Sequence, residues 1–351
     1  MNNFSLFFFS NYEVESDKKY QLLIDCVKFA DQHSFDAVWT PERHFHEFGG
    51  LFPNPSVTSA ALAMITDKLQ LRSGSIVSPL HNSVRIAEEW SVVDNLSGGR
   101  VEISFASGWN GHDFVLAKDN FQDRHAIMYE QIETVRKLWK GGAVTLENGI
   151  GKDISVKIYP APLQEELPIW VTGSRLDSTF IKAGEIGANL LTHILGQDLS
   201  ELGRKITLYR EARAKNGFDP AEGKVAVMLH TFVHEDMDYV LDTVRRPYMD
   251  YLKSASDLDK YLQEESGQQA DELPEEIREQ MLEQYMLHFM KECSLIGNTE
   301  HCMEMLKKLS DVGINECACL VDFGIAGETV LQHLPNLNSL IELSKSEMVA
   351  M

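Results

Sequence analysis

Apolar positions along the chain switch between two spacings. Short dense runs rich in β-branched and aromatic residues have strand chemistry: FSLFFF, FDAVW, LQLRSGSIV, VEISFA, PIWVT, ANLLTHI, VAVMLH and CACLVDF. Between them the spacing becomes helical. In DKKYQLLIDCVKFADQH, residues Leu22, Leu23, Cys26, Val27 and Ala30 fall on one helical face. Further helices are expected over PSVTSAALAMIT, SVRIAEEWSVVDNL, RHAIMYEQIETVRKLWK, a segment from about Leu176, LSELGRKITLYREARAKNG and TEHCMEMLKKLSDVG. Residues 141–151 read as an irregular glycine-rich excursion, and residues 231–293 as a long insertion ahead of the last helix and strand.

Eight strands, nearly every one followed by a helix, imply a parallel sheet. Short right-handed crossovers of that number close most economically into a (β/α)8 TIM barrel, an α/β fold, here with a helical insertion after strand 7. An open doubly wound sheet is the competitor, but no G-x-G-x-x-G follows the first strand. At 351 residues, one large domain or two small ones are both open. The barrel reading makes it one domain over residues 1–351, with a lid-like insertion at about 231–293.

Charge removes some functions. A formal net charge of −21 repels phosphate backbones and anionic surfaces, so neither nucleic acid nor membrane is expected as a partner. The acid concentrates in residues 257–283, read as a solvated helical excursion. No apolar run approaches the roughly 20 residues of a membrane span, and the N-terminus lacks the basic region and cleavage site of a signal peptide. Five cysteines without a C-x-x-C suit reduced thiols in the cytoplasm.

In such a barrel, chemistry belongs at the carboxyl ends of the strands. Those ends carry Ser10; Glu42, Arg43 and His44; Ser75 and Ser78; Ser107, Gly108 and Trp109; Thr172, Gly173 and Ser174; His193; His230; and Asp322. The stretch WTPERHFHEFGG is the densest in candidate chemistry. Three readings stand: a metal site, though its histidines lack the i, i+4 helical pairing of H-E-x-x-H; a turn network in which Glu42 pairs with Arg43 and His44 bonds a carbonyl; or the floor of a catalytic pocket. No metal is assigned. The segment TGSRLDS has what an anion needs: a tight turn at Gly173, hydroxyls on Ser174 and Ser178, a forked cation on Arg175, and the amides of a following helix. A serine-capped helix is the plainer alternative, which leaves the arginine unexplained.

Three blocks, FDAVWTPERHFHEFG, the run from NPSVTSAALAMI through SFASGWNGHDF, and PIWVTGSRLDSTFIKAGEIGANLLT, resemble the bacterial luciferase-like monooxygenases, a flavin-dependent barrel family. Within it, PERHFHEFGGLFPNPSV and SFASGWNGHDFVLA are similar to a subgroup associated with polyketide and nonribosomal peptide biosynthesis. The resemblance implies FMN, used as FMNH2 delivered by a separate flavin reductase, and O2 as co-substrate. It also implies a natural-product substrate, free or tethered to a carrier protein, and a homodimer. It places the phosphate at Thr172, Gly173, Ser174, Arg175 and Ser178, and a cis peptide joining Gly74 to Ser75 beneath the ring; the small residues Ser107 and Gly108 leave room for the ligand, and Trp109 either packs along the cofactor or caps the barrel. SGGR, residues 97–100, is a family signature that precedes its strand and is read as a turn away from the site.

Two departures alter the expected chemistry. Luciferase has an arginine where this chain has Ser107, and its first catalytic histidine aligns with Arg43. An arginine stays protonated, so Arg43 is expected to stabilise a developing anion, while His44 or His46 carries the proton. A deazaflavin (F420)-dependent oxidoreductase transferring hydride, and a flavin-binding barrel without chemistry, stay open as alternatives.

Overall fold

The computed structural model describes residues 3–9, 18–47, 49–195, 197–265 and 275–350. Ser10 and part of the insertion lie outside the described residues. The strands are β1 Asn3–Phe7, β2 Ala37–Thr40, β3 Gln70–Val77, β4 Val101–Ala106, β5 Val144–Glu147, β6 Asp153–Val156, β7 Ile169–Thr172, β8 Asn189–His193, β9 Val225–Val233, β10 Leu295–Gly297 and β11 Glu316–Leu320. The helices are α1 Gln21–Gln32, α2 Pro55–Ala63, α3 Ser83–Ser97, α4 Arg124–Trp139, α5 Asp177–Glu185, α6 Leu199–Lys215, α7 Met237–Glu265, α8 Glu275–Cys293, α9 Thr299–Asp311 and α10 Gly327–Ala350.

Eight parallel strands run β9-β11-β1-β2-β3-β4-β7-β8, and pairing of β8 with β9 closes the ring. Local chemistry accounts for many element ends. Asn54 caps α2 by accepting from the amides of Ser56 and Val57, with Pro55 preset for the first turn. Asn82 caps α3 in the same way, and α3 stops where Gly98 turns left-handed at φ 73°. Arg100 then bonds the Thr66 and Leu69 carbonyls, tying SGGR to the amino end of the barrel as expected. The predicted face of α1, Leu22, Leu23, Cys26, Val27 and Ala30, is buried.

Three elements differ from the sequence reading. The glycine-rich excursion contains an antiparallel hairpin, β5 with β6, turned by Asn148, whose side chain accepts from the Ile150 and Lys152 amides. Strand β9 runs on through Thr231, Phe232 and Val233 because the short β10 pairs with that end, so the helical part of the insertion starts at Met237. A last helix, α10, follows the eighth barrel strand where the reading placed nothing.

Candidate functional site

The loop after β2 is organised by Glu42. Its buried carboxylate accepts the Val77 amide at 2.6 Å through Oε2, while Oε1 bonds His44 Nε2 at 2.9 Å and His81 Nε2 at 2.6 Å. Burial pushes the Glu42 carboxyl up, but the bonds from His44, His81 and Val77 outweigh it and hold the group below its ordinary range. Burial opposes charging of His81, yet the bond to Glu42 and the charges of Glu42 and Glu89 raise its proton affinity. Glu42 therefore takes histidines rather than Arg43. The Arg43 guanidinium sits 4.3 Å above the Phe9 ring and 5.6 Å from that of Trp109. Phe45 turns the chain at φ 56° and leaves His46 exposed, outside the Glu42 cluster.

After β4, Gly108 holds φ 81°, and a Cβ there would meet Val77 Cγ1 at 2.7 Å and the Phe114 ring at 2.9 Å. Ser107 is half-buried. Trp109 is 53% exposed and lies toward Arg43. Asp113 is nearby and buried; desolvation raises its carboxyl, with His44 and Arg43 pulling the other way. Sequence reasoning missed Asp113 and His81, neither of which stands at a strand end.

Across the ring, Thr172 Oγ1 meets Ser75 Oγ at 2.5 Å and Ser104 Oγ at 2.7 Å, joining β3, β4 and β7. The Gly74–Ser75 peptide is cis, as the resemblance implies. A Cβ on Gly74 would lie 2.9 Å from the Phe7 ring and 3.0 Å from Trp39 Cβ, so this floor admits only glycine. At Gly173 a Cβ would meet Thr179 Cγ2 at 2.4 Å, which lets the loop press against α5. Arg175 and Ser178 are exposed and Ser174 half-buried. No side chain caps α5 at Leu176, which removes the serine-cap reading, and Arg204 engages Asp177 at 2.7–2.8 Å. Lys205, buried and unanticipated, bonds the Ser174 carbonyl at 2.8 Å and adds a second cation behind the loop.

At the strand ends, His193 Nδ1 and His230 Nε2 are buried without a hydrogen-bond partner among the described residues, as are Thr40 Oγ1 at the end of β2 and Ser78 Oγ just after β3. In the strand register, His230 lies level with Leu320 on the inward face that Glu316 begins, and His193 lies level with Met228 beside it. Burial, then the charge of Arg175, lowers His193 to about 4; burial, then His193, lowers His230 to about 3. Rings of Tyr248, Tyr251, Phe289 and Phe323 surround His230 at 4.7–5.9 Å. Helices α7 and α8 thus cover this side of the mouth.

Buried polar atoms without partners are rare and costly, and their grouping at the strand ends beside two cations suits a polar ligand with an anionic tail. Gly74 and Gly173 let the strand ends pack against Phe7, Trp39 and Thr179, and with the exposed Arg175, the Lys205 cation behind it and the Ser75, Ser104 and Thr172 hydroxyls the residues fit a flavin mononucleotide. Among the described residues no group of three or more His, Cys, Asp or Glu is placed to hold a metal, and no helix is long and apolar enough to cross a membrane.

Comparison with known proteins agrees with the architecture. An alkanal monooxygenase alpha chain from Photorhabdus luminescens is 29% identical over 198 residues, a match spanning 56% of this chain and 54% of that one, so about half the relative's length is matched. The oxygenase component of a flavin-dependent trigonelline monooxygenase from Acinetobacter baylyi is 25% identical over 316 residues, covering 88% and 85% of the two chains. Among solved structures, the FMN complex of the oxygenating constituent of 3,6-diketocamphane monooxygenase from Pseudomonas putida superposes with TM-score 0.76 over 97% of this chain and 98% of that one, at 16% identity. An F420-dependent secondary alcohol dehydrogenase gives 0.68 over 97% and 99%, also at 16%. The profile of the luciferase-like monooxygenases matches residues 2–316, and the chain belongs to that family.

Proposed function

We propose that the protein is the oxygenase component of a two-component flavin-dependent monooxygenase in the cytoplasm. It takes reduced flavin mononucleotide from a separate reductase and uses dioxygen to oxygenate, most simply hydroxylate, a natural-product intermediate, free or carrier-bound. The observation that carries this reading is the pair of buried ring nitrogens at the strand ends, His193 Nδ1 and His230 Nε2, which have no hydrogen-bond partner among the described residues, with the charge of Arg175 acting on His193. That the trigonelline relative is itself named as an oxygenase component supports the two-component arrangement.

When bound, reduced flavin supplies the electrons that activate dioxygen. The chain's residues bind, orient and shield. Thr172, Gly173, Ser174, Arg175 and Ser178 with the first amides of α5 would hold the phosphate. Gly74, Ser75, Ser107, Gly108 and Trp109 would hold the ring system. Arg43 stays charged and stabilises negative charge at the reacting end, where His44 exchanges the proton. Tyr248 and Tyr251 on α7 exclude water from the His230 side.

The test is rapid mixing of anaerobic protein and reduced flavin mononucleotide with oxygenated buffer. A transient absorbance distinct from free reduced and oxidised flavin supports the reading. Immediate oxidation at saturating protein, with hydride transfer to a deazaflavin instead, would replace it with the F420 alternative; flavin binding with no reaction would leave a binding subunit. Exposed Val57 and Met64, with Val92 and Leu96 on neighbouring α3, favour a homodimer, which sedimentation would show.

A further inference from the structure

The cluster around Glu42 has a feature that simple loop anchoring does not require. Two imidazoles bond the same carboxylate oxygen, and they differ in access to water: the His44 side chain is 10% exposed, that of His81 32%. The carboxylate has one negative charge, enough to balance one imidazolium. We propose that Glu42 makes His44 and His81 share one proton, so that proton uptake by His44 at the mouth is linked to proton release from His81 to solvent. The proposal rests on the reading of this mouth as the reaction site and adds His81 and Glu42 to its proton path.

The atoms balance without any redox step. Both Nε2 atoms are committed to Glu42 Oε1, so each Nδ1 is the exchanging atom. An N–H bond forms at His44 Nδ1 with a proton given up in the pocket. The N–H bond at His81 Nδ1 breaks and its proton goes to water. Glu42 stays ionised throughout, in keeping with its three hydrogen bonds and lowered carboxyl. Exchange in reverse resets the pair.

The surroundings maintain the asymmetry. Glu89 on α3 faces His81 and favours its charged form. From residues 111–116, Asp113 feels the charges of His44, Arg43, Glu42 and His112. The Gln131 side chain from α4 donates to the His81 carbonyl at 2.7 Å, and Asn120 donates to the Pro79 carbonyl at 2.6 Å, fixing the turn that presents His81.

The experiment is a pH titration of histidine side-chain nitrogen signals by NMR in the flavin-free, full-length protein, for the native chain, His81→Gln and His44→Gln. Strongly interacting sites shift one another's midpoint by about one pH unit, a tenfold change in proton affinity. His81→Gln is expected to raise the His44 midpoint by that amount, and His44→Gln to raise that of His81. Midpoints that ignore the partner's removal in both variants, with dispersed spectra proving them folded, would overturn the proposal; a packing role moves neither. Flavin titration of the same samples separates the two ideas. Coupled midpoints without flavin binding would sink the function reading and leave proton sharing standing, whereas flavin binding with independent midpoints would sink this inference alone.

Discussion

Two polar networks occupy opposite ends of the same barrel. At the lower end Arg72 donates to both Glu316 oxygens at 2.7 and 2.9 Å, and its Nε lies 2.8 Å from Glu102, off the line of a good hydrogen bond. Trp170 donates to Glu102 at 2.5 Å, Trp39 to Ser5 at 2.8 Å, and Ser5 to Glu316 at 2.6 Å. The charged groups there face one another, and the guanidinium is sandwiched 4.7 and 4.8 Å from the two indoles. At the upper end, single atoms of buried imidazoles and hydroxyls, His193 Nδ1, His230 Nε2, Thr40 Oγ1 and Ser78 Oγ, lack a partner among the described residues. The difference teaches that polarity inside a barrel is not itself a sign of function. In the lower network even Arg72 Nε, which makes no aligned hydrogen bond, faces a carboxylate at 2.8 Å; in the upper one the unpartnered atoms have no such counter-charge.

That contrast can be broken in five ways. The largest effect is expected from Arg72→Met, which strands two buried carboxylates and should cost about 3–5 kcal/mol in urea unfolding; a loss under about 1 kcal/mol would mean the lower network is not self-contained. Adding flavin mononucleotide at about a hundred times its Kd should stabilise the native chain by about 2.7 kcal/mol, and an unmoved urea midpoint would deny the mouth its ligand.

Next comes acid. The unfolded chain binds protons on His193 and His230 near pH 6.5, while the folded imidazoles stay neutral down to about 4 and about 3. Stability should therefore fall as pH drops below about 6.5, and His230→Gln should remove about 1–2 kcal/mol of that loss at about pH 5. An unaltered pH curve in that variant would show His230 to be accessible to protons. The smallest effect is on affinity alone: Arg175→Ala should weaken flavin binding at least about tenfold, or about 1.4 kcal/mol, with unfolding free energy unchanged. Arg43→Ala should do the reverse, sparing flavin affinity and lowering product yield. Equal losses in both assays for Arg43→Ala would refute the division between a phosphate end and a reacting end.

Much of the fold was legible because its signals are local. The eight barrel strands and the buried face of α1 depend on spacings within a dozen residues. Helix α10 was not read, since Pro335 lies inside it and Asn336 and Asn338 are poor helix formers; burial of Val330, Leu334, Leu337, Leu340 and Ile341 overrides that propensity. Strand β10 has three residues and exists because β9 offers it an edge. The turn at Asn148 was visible as a glycine-rich patch, but its pairing was not.

The site divides along the same line. Gly173, Arg175 and the helix that follows are neighbours in the chain, so their joint suitability for an anion could be read directly. Glu42 was on the page as well, and the residue expected to pair with it was adjacent. Its actual partners were decided by folding: His81 lies 39 positions away, brought in by the turn after β3, and the Val77 amide completes the set. His193 and His230 could be placed at strand ends, yet folding alone brings the rings of Tyr248 on α7 and Phe289 on α8 against His230. The sequence by itself determined which segments become strands and helices and which strand ends carry reactive side chains, because backbone preference and side-chain period act over a few residues. Only the tertiary structure decided which carboxylate meets which imidazole and which polar atoms go without, because closing the ring sets distances between residues that no local rule connects.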